Sequence, residues 1–224
     1  MAQLPAAGPG CRQCGQAFAG AEDSRDGRCL SCQVSPPAYA SAHTAAAYRG
    51  TARELIHLMK YRGIEPIAGV WAERLAALST TLSEAPAVVV PVPLGRRRRR
   101  QRGFNQSAAI GRRLARRLGC GYVPRGLRRR RETAPQAGLG IEARRRNVAG
   151  AFVASTRRVA GKRVLLVDDI LTTGATVQAA AAALLRAGAK RVDVMVAARA
   201  DRADLAGAAA AAPQGPAPTY GVRA

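Results

Sequence analysis

Two hydrophobic rhythms run along the chain. Residues 51–61 place Leu55, Ile56, Leu58 and Met59 on one stripe behind Thr51, a suitable N-cap, and predict a helix. Gly63 and Pro66 break it. A second helix is predicted over 67–78, with Val70, Trp71, Leu75 and Leu78 inward. Residues 88–92 are continuously apolar and β-branched, which predicts a buried parallel strand ending near Pro91. A helix is predicted over 105–118, with Asn105 as its cap. Residues 125–147 lack periodicity and predict a mobile loop; 151–154 predict a short strand. Residues 163–168 form the strongest strand, followed by a Thr/Gly loop, a helix over 175–186 closed by Gly188, and another strand over 192–198. Strand–helix–strand order over so short a stretch is a βαβ unit, so the sheet is expected to be parallel and covered on both faces.

The length, 224 residues, allows one full domain and a small module. A hydrophobic share of 48% supports a buried core and excludes wholesale disorder. No apolar run reaches the length of a membrane span, and residues 1–10 lack the features of a secretory signal, so a cytoplasmic protein without an integral membrane segment is expected. Residues 203–224, rich in Ala, Gly and Pro, are expected to be a disordered tail.

The formal net charge is +22, but only Lys60, Lys162 and Lys190 among the 36 cations are lysines. An Arg-over-Lys, Ala-rich composition is what GC-rich coding bias produces. Position is more telling than total: residues 94–146 hold 18 arginines and only two acids, Glu132 and Glu142. Such density favours an anionic ligand such as phosphate or nucleic acid, although any single arginine serves equally well as solvated surface. Aromatics, at 4%, are too sparse for a platform that stacks single-stranded bases. His43 lacks metal-ligand spacing, His57 reads as a partly buried core residue, and Cys120 as a small buried hydrophobe.

Cys11-x-x-Cys14 and Cys29-x-x-Cys32 are two knuckles that can supply four thiolates to one tetrahedral ion, with Gly15 and Gly27 easing the turns. A cytosolic chain seldom keeps such cysteines as disulfides, and a redox dithiol needs one pair. Structural Zn²⁺ is therefore expected, with no ligand position left open.

The densest chemistry lies over 164–176. A buried strand delivers Asp168 and Asp169 at its carboxyl edge, where open α/β sheets bind ligands. Thr172, Thr173, Gly174 and Thr176 then lead into a helix N-terminus, a natural phosphate cradle. Carboxylates beside a phosphate need a partner of their own, and sugar hydroxyls fit, because ionised carboxylates only accept. A sugar phosphate meets both demands. No P-loop lysine is present, so a nucleoside triphosphate reading fails.

This segment resembles the phosphoribosyl-pyrophosphate signature of type I phosphoribosyltransferases. Together with the cysteines of 11–32, Lys60-Tyr-Arg-Gly63, Pro91-Val-Pro93, Arg102-Gly-Phe-Asn-Gln106, Gln136, Arg146-Asn-Val148 and Gly150-Ala-Phe152, the chain is similar to the ComF family of competence-associated proteins over about residues 11–200. The resemblance implies an α/β fold, a type I phosphoribosyltransferase-like parallel sheet flanked by helices, behind a small N-terminal four-cysteine zinc module. It divides the chain into residues 1–38 (module and linker), 39–202 (phosphoribosyltransferase-like domain) and 203–224 (tail).

It further implies that Asp168 and Asp169 are catalytic and hold the ribose hydroxyls. Leu171, Thr172, Thr173, Gly174, Ala175 and Thr176 would bind the 5′-phosphate. Pro93, Leu94, Gly95, Arg96 and Arg102 would meet the pyrophosphate with Mg²⁺, and 128–147 would close over the site. Cys11, Cys14, Cys29 and Cys32 would hold the zinc. Three functions stay open: phosphoribosyl transfer to an unidentified acceptor; a non-catalytic phosphoribosyl-pyrophosphate sensor in DNA uptake; and binding of single-stranded DNA or the uptake machinery through residues 94–146. A homo-oligomer is compatible with each.

Overall fold

The structure, a computed structural model, describes residues 4–5, 8, 10–18, 26–133 and 141–200. In chain order its elements are α1 (Leu30–Val34), β1 (Ser41–Ala47), α2 (Gly50–Tyr61), α3 (Ile67–Ala77), β2 (Val88–Pro91), α4 (Arg96–Arg102), α5 (Gln106–Arg117), β3 (Gly121–Tyr122), β4 (Leu127–Arg129), α6 (Ile141–Val148), β5 (Phe152–Ala154), α7 (Thr156–Val159), β6 (Arg163–Leu171), α8 (Ala175–Arg186) and β7 (Arg191–Arg199). A single 3₁₀ turn, Leu78–Thr81, follows α3.

Five strands form one sheet in the order β1-β7-β6-β2-β3, every pair parallel. The core lies on both faces, as the continuous apolar runs require. Alternate strand residues divide it. Val88, Val90, Val164, Leu166 and Val194 pack against α8 and the β4–β5 pair. Val89, Leu165, Val167 and Met195 pack against α2, α3 and α5, where Ile56, Trp71, Leu75, Ile110 and Leu114 are fully buried.

Several boundaries differ from the sequence pattern. Thr51 lies inside α2, whose N-cap is Arg49 without a side-chain bond. Leu58 and Val70 point outward; Met59 and Trp71 are the inward residues. The supposed loop of 125–147 contains β4 and most of α6, and β4 pairs antiparallel with β5; its part over 134–140, including Gln136, lies outside the described residues. So does the expected tail. The arginine run Arg96–Arg102 is helical, which suits arginine, a good helix former. Asn105 caps α5 as expected, its side chain accepting from Ser107 N–H at 3.2 Å.

Candidate functional site

Neighbouring strands β2 and β6 lead in opposite directions. After β2 the chain passes through α4 and α5 to β3; after β6 it passes through α8 to β7. The crevice outside the carboxyl ends of two such strands is where open parallel sheets take ligands. A cavity of about 320 Å³ opens there, with Asp168 and Asp169 on its wall. Strand β6 continues through both acids to Leu171, so they are held by a pairing ladder with β7.

Each carboxylate has its own partner. Ser107 Oγ, in the first turn of α5, donates to Asp168 Oδ1 at 2.8 Å, and the Asp169 amide donates to the same oxygen at 2.9 Å. Lys60, near the end of α2, pairs with Asp169 at 3.1 Å. Asp168 faces the cavity yet lies deep in the fold. That burial pushes its carboxyl up to about 7, and the adjacent Asp169 pushes the same way, while the Ser107 hydroxyl, the Asp169 amide and Lys60 pull it down.

Thr172, in the loop before α8, and Thr176, in its first turn, line the same cavity as the acids. Gly174, the N-cap, has φ +78°, a left-handed conformation that glycine takes without strain. Pro93, Leu94 and Arg102 also line the cavity. Arg102 is steadied by Gln106 Oε1 at 3.2 Å and stands over the Tyr61 ring at 5.7 Å. Gly95 is instead the N-cap of α4 and Arg96 its first residue, and the Glu132 carboxylate accepts from Arg96 N–H. Leu171 is buried in the core, with its carbonyl taken by Ala200 N–H. Thr173, Gly174 and Ala175 border a second cavity of about 450 Å³, and Thr172 borders both.

The sequence reading missed Lys60 and Ser107 as site residues, whereas Arg98, Arg129 and Arg144 come from the arginine-dense stretch expected to meet an anion, and all five reach the first cavity. Lys60 had left a signal: it is one of three lysines in a chain that otherwise uses arginine. Ser107 left none, since its contact spans 61 residues. Arg129 stacks at 5.4 Å over Phe152, and burial lowers its affinity for its proton.

The four cysteines come together. Cys11, Cys14, Cys29 and Cys32 place their sulfurs within 4.8 Å of one another. The Cys14–Cys29 separation is 3.7 Å, close to the edge of a tetrahedron with Zn–S bonds of about 2.3 Å. Gly15 and Gly27 have φ of +70° and +67°, as the knuckle turns require. Cys14 N–H points at Cys11 Sγ, 3.5 Å away. The donor set and spacing fit a closed, structural Zn²⁺ site.

Residues outside these clusters play lesser parts. His57 is exposed, not core, and bonds to Tyr48 Oη at 3.1 Å. His43 bonds Ser41 and Thr81, each at 2.8 Å, without a metal-ligand partner among the described residues. Cys120 is half-buried against the core, as a small hydrophobe would be. No helix of the described residues is long and apolar enough to cross a membrane.

Comparison with known proteins extends the picture. The phosphoribosyl transferase domain family matches residues 105–208. The DNA utilization protein YhgH of Escherichia coli strain K12 is 37% identical over 171 residues, covering 74% of this chain and 75% of that protein. Competence protein F of Haemophilus influenzae is 34% identical over 117 residues, 51% of each chain. The solved adenine phosphoribosyltransferase of Leishmania tarentolae matches 68% of this chain and 78% of its own, at 16% identity and a TM-score of 0.39. By its relatives and its four-cysteine cluster, this chain belongs to the ComF family, with a phosphoribosyltransferase-type parallel sheet.

Proposed function

We propose that the chain binds phosphoribosyl pyrophosphate with Mg²⁺ and transfers its phosphoribosyl group to an acceptor, in a process that serves DNA uptake or use. The observation that carries this reading is that the Asp168–Asp169 pair shares one arginine-walled cavity with Thr172 and Thr176, the two ends of the loop into α8. The relatives' names, which speak of DNA utilization and competence, support the setting. Residues 39–202 form the ligand-binding unit in this reading and 1–38 its zinc module.

The roles follow from chemistry. The ribose hydroxyls donate to Asp168 and Asp169, and the 5′-phosphate settles on the loop and the first turn of α8, whose amides and dipole favour an anion. The pyrophosphate points toward Arg98, Arg102 and Arg129. In transfer, the bond between C1 of ribose and pyrophosphate breaks and both electrons leave with the pyrophosphate. The acceptor's lone pair forms the new bond at C1, and the acceptor's proton is given to solvent. Arginines fixed beforehand around the leaving group stabilise its growing charge without reorganising. Mg²⁺ would be held largely by substrate and water oxygens beside Asp168 and Asp169, and would supply charge neutralisation at the pyrophosphate.

A sensing role without turnover uses the same site and is favoured by one feature: Lys60 already occupies Asp169. Pyrophosphate release separates the two. Release that depends on an added acceptor and is lost in Asp168→Asn/Asp169→Asn supports transfer. Saturable binding with no release under any acceptor, single-stranded DNA included, assigns the sensing role.

A further inference from the structure

The second cavity lies between the cysteine cluster and the phosphate loop. Its walls include Cys14, Cys29 and Cys32 on one side and Thr172 to Ala175 on the other. Tyr39 stands between them, only 3% exposed, with its ring in the same core cluster as Leu171 and Val177. Its hydroxyl lies beside the loop: a Cβ added to Gly174 would come within 3.7 Å of Tyr39 Oη.

That hydroxyl makes no hydrogen bond to the described residues. The oxygen is not one of the buried side-chain atoms left without a partner, so it is open to the second cavity, where a ligand atom can meet it. Nor is Tyr39 loosely placed. Ala38 N–H donates to Gln178 Oε1 of α8 at 2.7 Å, and Ala40 N–H donates to the Val192 carbonyl at 2.8 Å. The backbone on both sides is pinned, so the hydroxyl is held at the loop. Thr172 lies on the wall common to both cavities. A phosphate on this loop has Thr172 on the wall shared with the acids and the Tyr39 hydroxyl beside Gly174 in the second cavity.

We propose that Tyr39 is a ligand-binding residue whose hydroxyl donates to the 5′-phosphate monoester, so that the segment leaving the cysteine module completes the phosphate site. The inference rests on the phosphoribosyl reading given above. It also ties the metal centre to the ligand. Arg199 donates to the Cys14 carbonyl at 2.7 Å and to Gln16 Oε1 at 2.8 Å, and the next residue, Ala200, donates to the Leu171 carbonyl at 2.9 Å, one residue before the loop. The metal module is therefore fastened at the strand end that also supports the phosphate loop.

The test titrates full-length, zinc-loaded protein with ribose 5-phosphate and, separately, with inorganic pyrophosphate, for wild type and Tyr39→Phe. The substitution removes one oxygen and keeps the buried ring. Zinc content and thermal midpoint are read on the same samples and stay near wild type. Ribose 5-phosphate binds about tenfold more weakly to Tyr39→Phe, the loss expected for one hydrogen bond to a charged group, while pyrophosphate affinity is unchanged. Equal ribose 5-phosphate affinity in the two proteins, or equal weakening of both ligands, overturns the inference and leaves the function standing. A wild-type protein that binds neither ribose 5-phosphate nor phosphoribosyl pyrophosphate overturns the functional reading itself.

Discussion

Lys60 Nζ stands 3.1 Å from Asp169 Oδ2, with only 12% and 13% of the two side chains exposed. The pair joins α2 to the ligand edge of β6. Removing one member of a mostly buried pair leaves the other without compensation. Lys60→Met is expected to destabilise the protein by on the order of 3 kcal/mol, read as a lowered midpoint in chemical denaturation. A midpoint equal to wild type shows that the pair contributes nothing to the fold.

Asp168 gives stability a distinct pH dependence. Its folded-state carboxyl is raised to about 7 from 3.8. The native protein therefore holds a proton that the unfolded chain releases. This contribution is fully present below about pH 4 and is lost as pH rises through about 7. Asp168→Asn is expected to flatten the fall of the thermal midpoint between pH 5 and pH 8. Ser107→Ala removes a donor that favours the ionised form, so it is expected to steepen ligand loss at pH 6.5 and recover affinity at pH 8.5. A variant with the wild-type pH profile contradicts the assignment.

The cysteine cluster predicts one Zn²⁺ per chain. Burial pushes the thiol of Cys14 up to about 11, and a bound dication reverses that preference by stabilising the thiolates. Cys14→Ala is expected to lose the metal, while the sheet retains its main unfolding transition, because the two core clusters draw almost entirely on residues beyond the module. Elemental analysis that finds no zinc in wild-type protein purified without chelators rejects the site.

Gly174 separates backbone strain from crowding. A Cβ there would meet Tyr39 Oη at 3.7 Å and Leu171 Cδ1 at 3.9 Å, which is ordinary contact. The cost comes from φ +78°. Gly174→Ala is expected to destabilise by about 1 kcal/mol, and Gly174→Val by more, as a β-branched residue. Calorimetric midpoints of the ligand-free variants measure this directly, and unchanged midpoints reject the strain.

The segment from Val164 to Arg186 was legible in the chain because each local signal agreed: an apolar β-branched run, two acids at its edge, a glycine at the left-handed cap, and a helix without breakers. The cysteine knuckles were legible for a similar reason, since ligand spacing is a local property. Strand β1 was not. Its sequence, Ser-Ala-His-Thr-Ala-Ala-Ala, has weak strand preference and is ordered by pairing with β7. Strand β4 and helix α6 were hidden because arginine dominates both, masking any hydrophobic period. The partners of the two acids were illegible for a different reason. Lys60 and Ser107 come from distant helices, and only the packing of α2 and α5 on one sheet face brings them to the end of β6.

The central claim is that Asp168, Asp169 and the Thr172–Thr176 loop form a site for phosphoribosyl pyrophosphate. Calorimetric titration of the folded, zinc-loaded protein with that ligand in the presence of Mg²⁺ tests it most directly. The account predicts saturable, one-to-one, Mg²⁺-dependent binding that weakens markedly in the Asp168→Asn/Asp169→Asn variant, because charge-assisted bonds to the ribose hydroxyls are lost. No saturable heat up to millimolar ligand, from protein shown to be folded and metal-loaded, contradicts it.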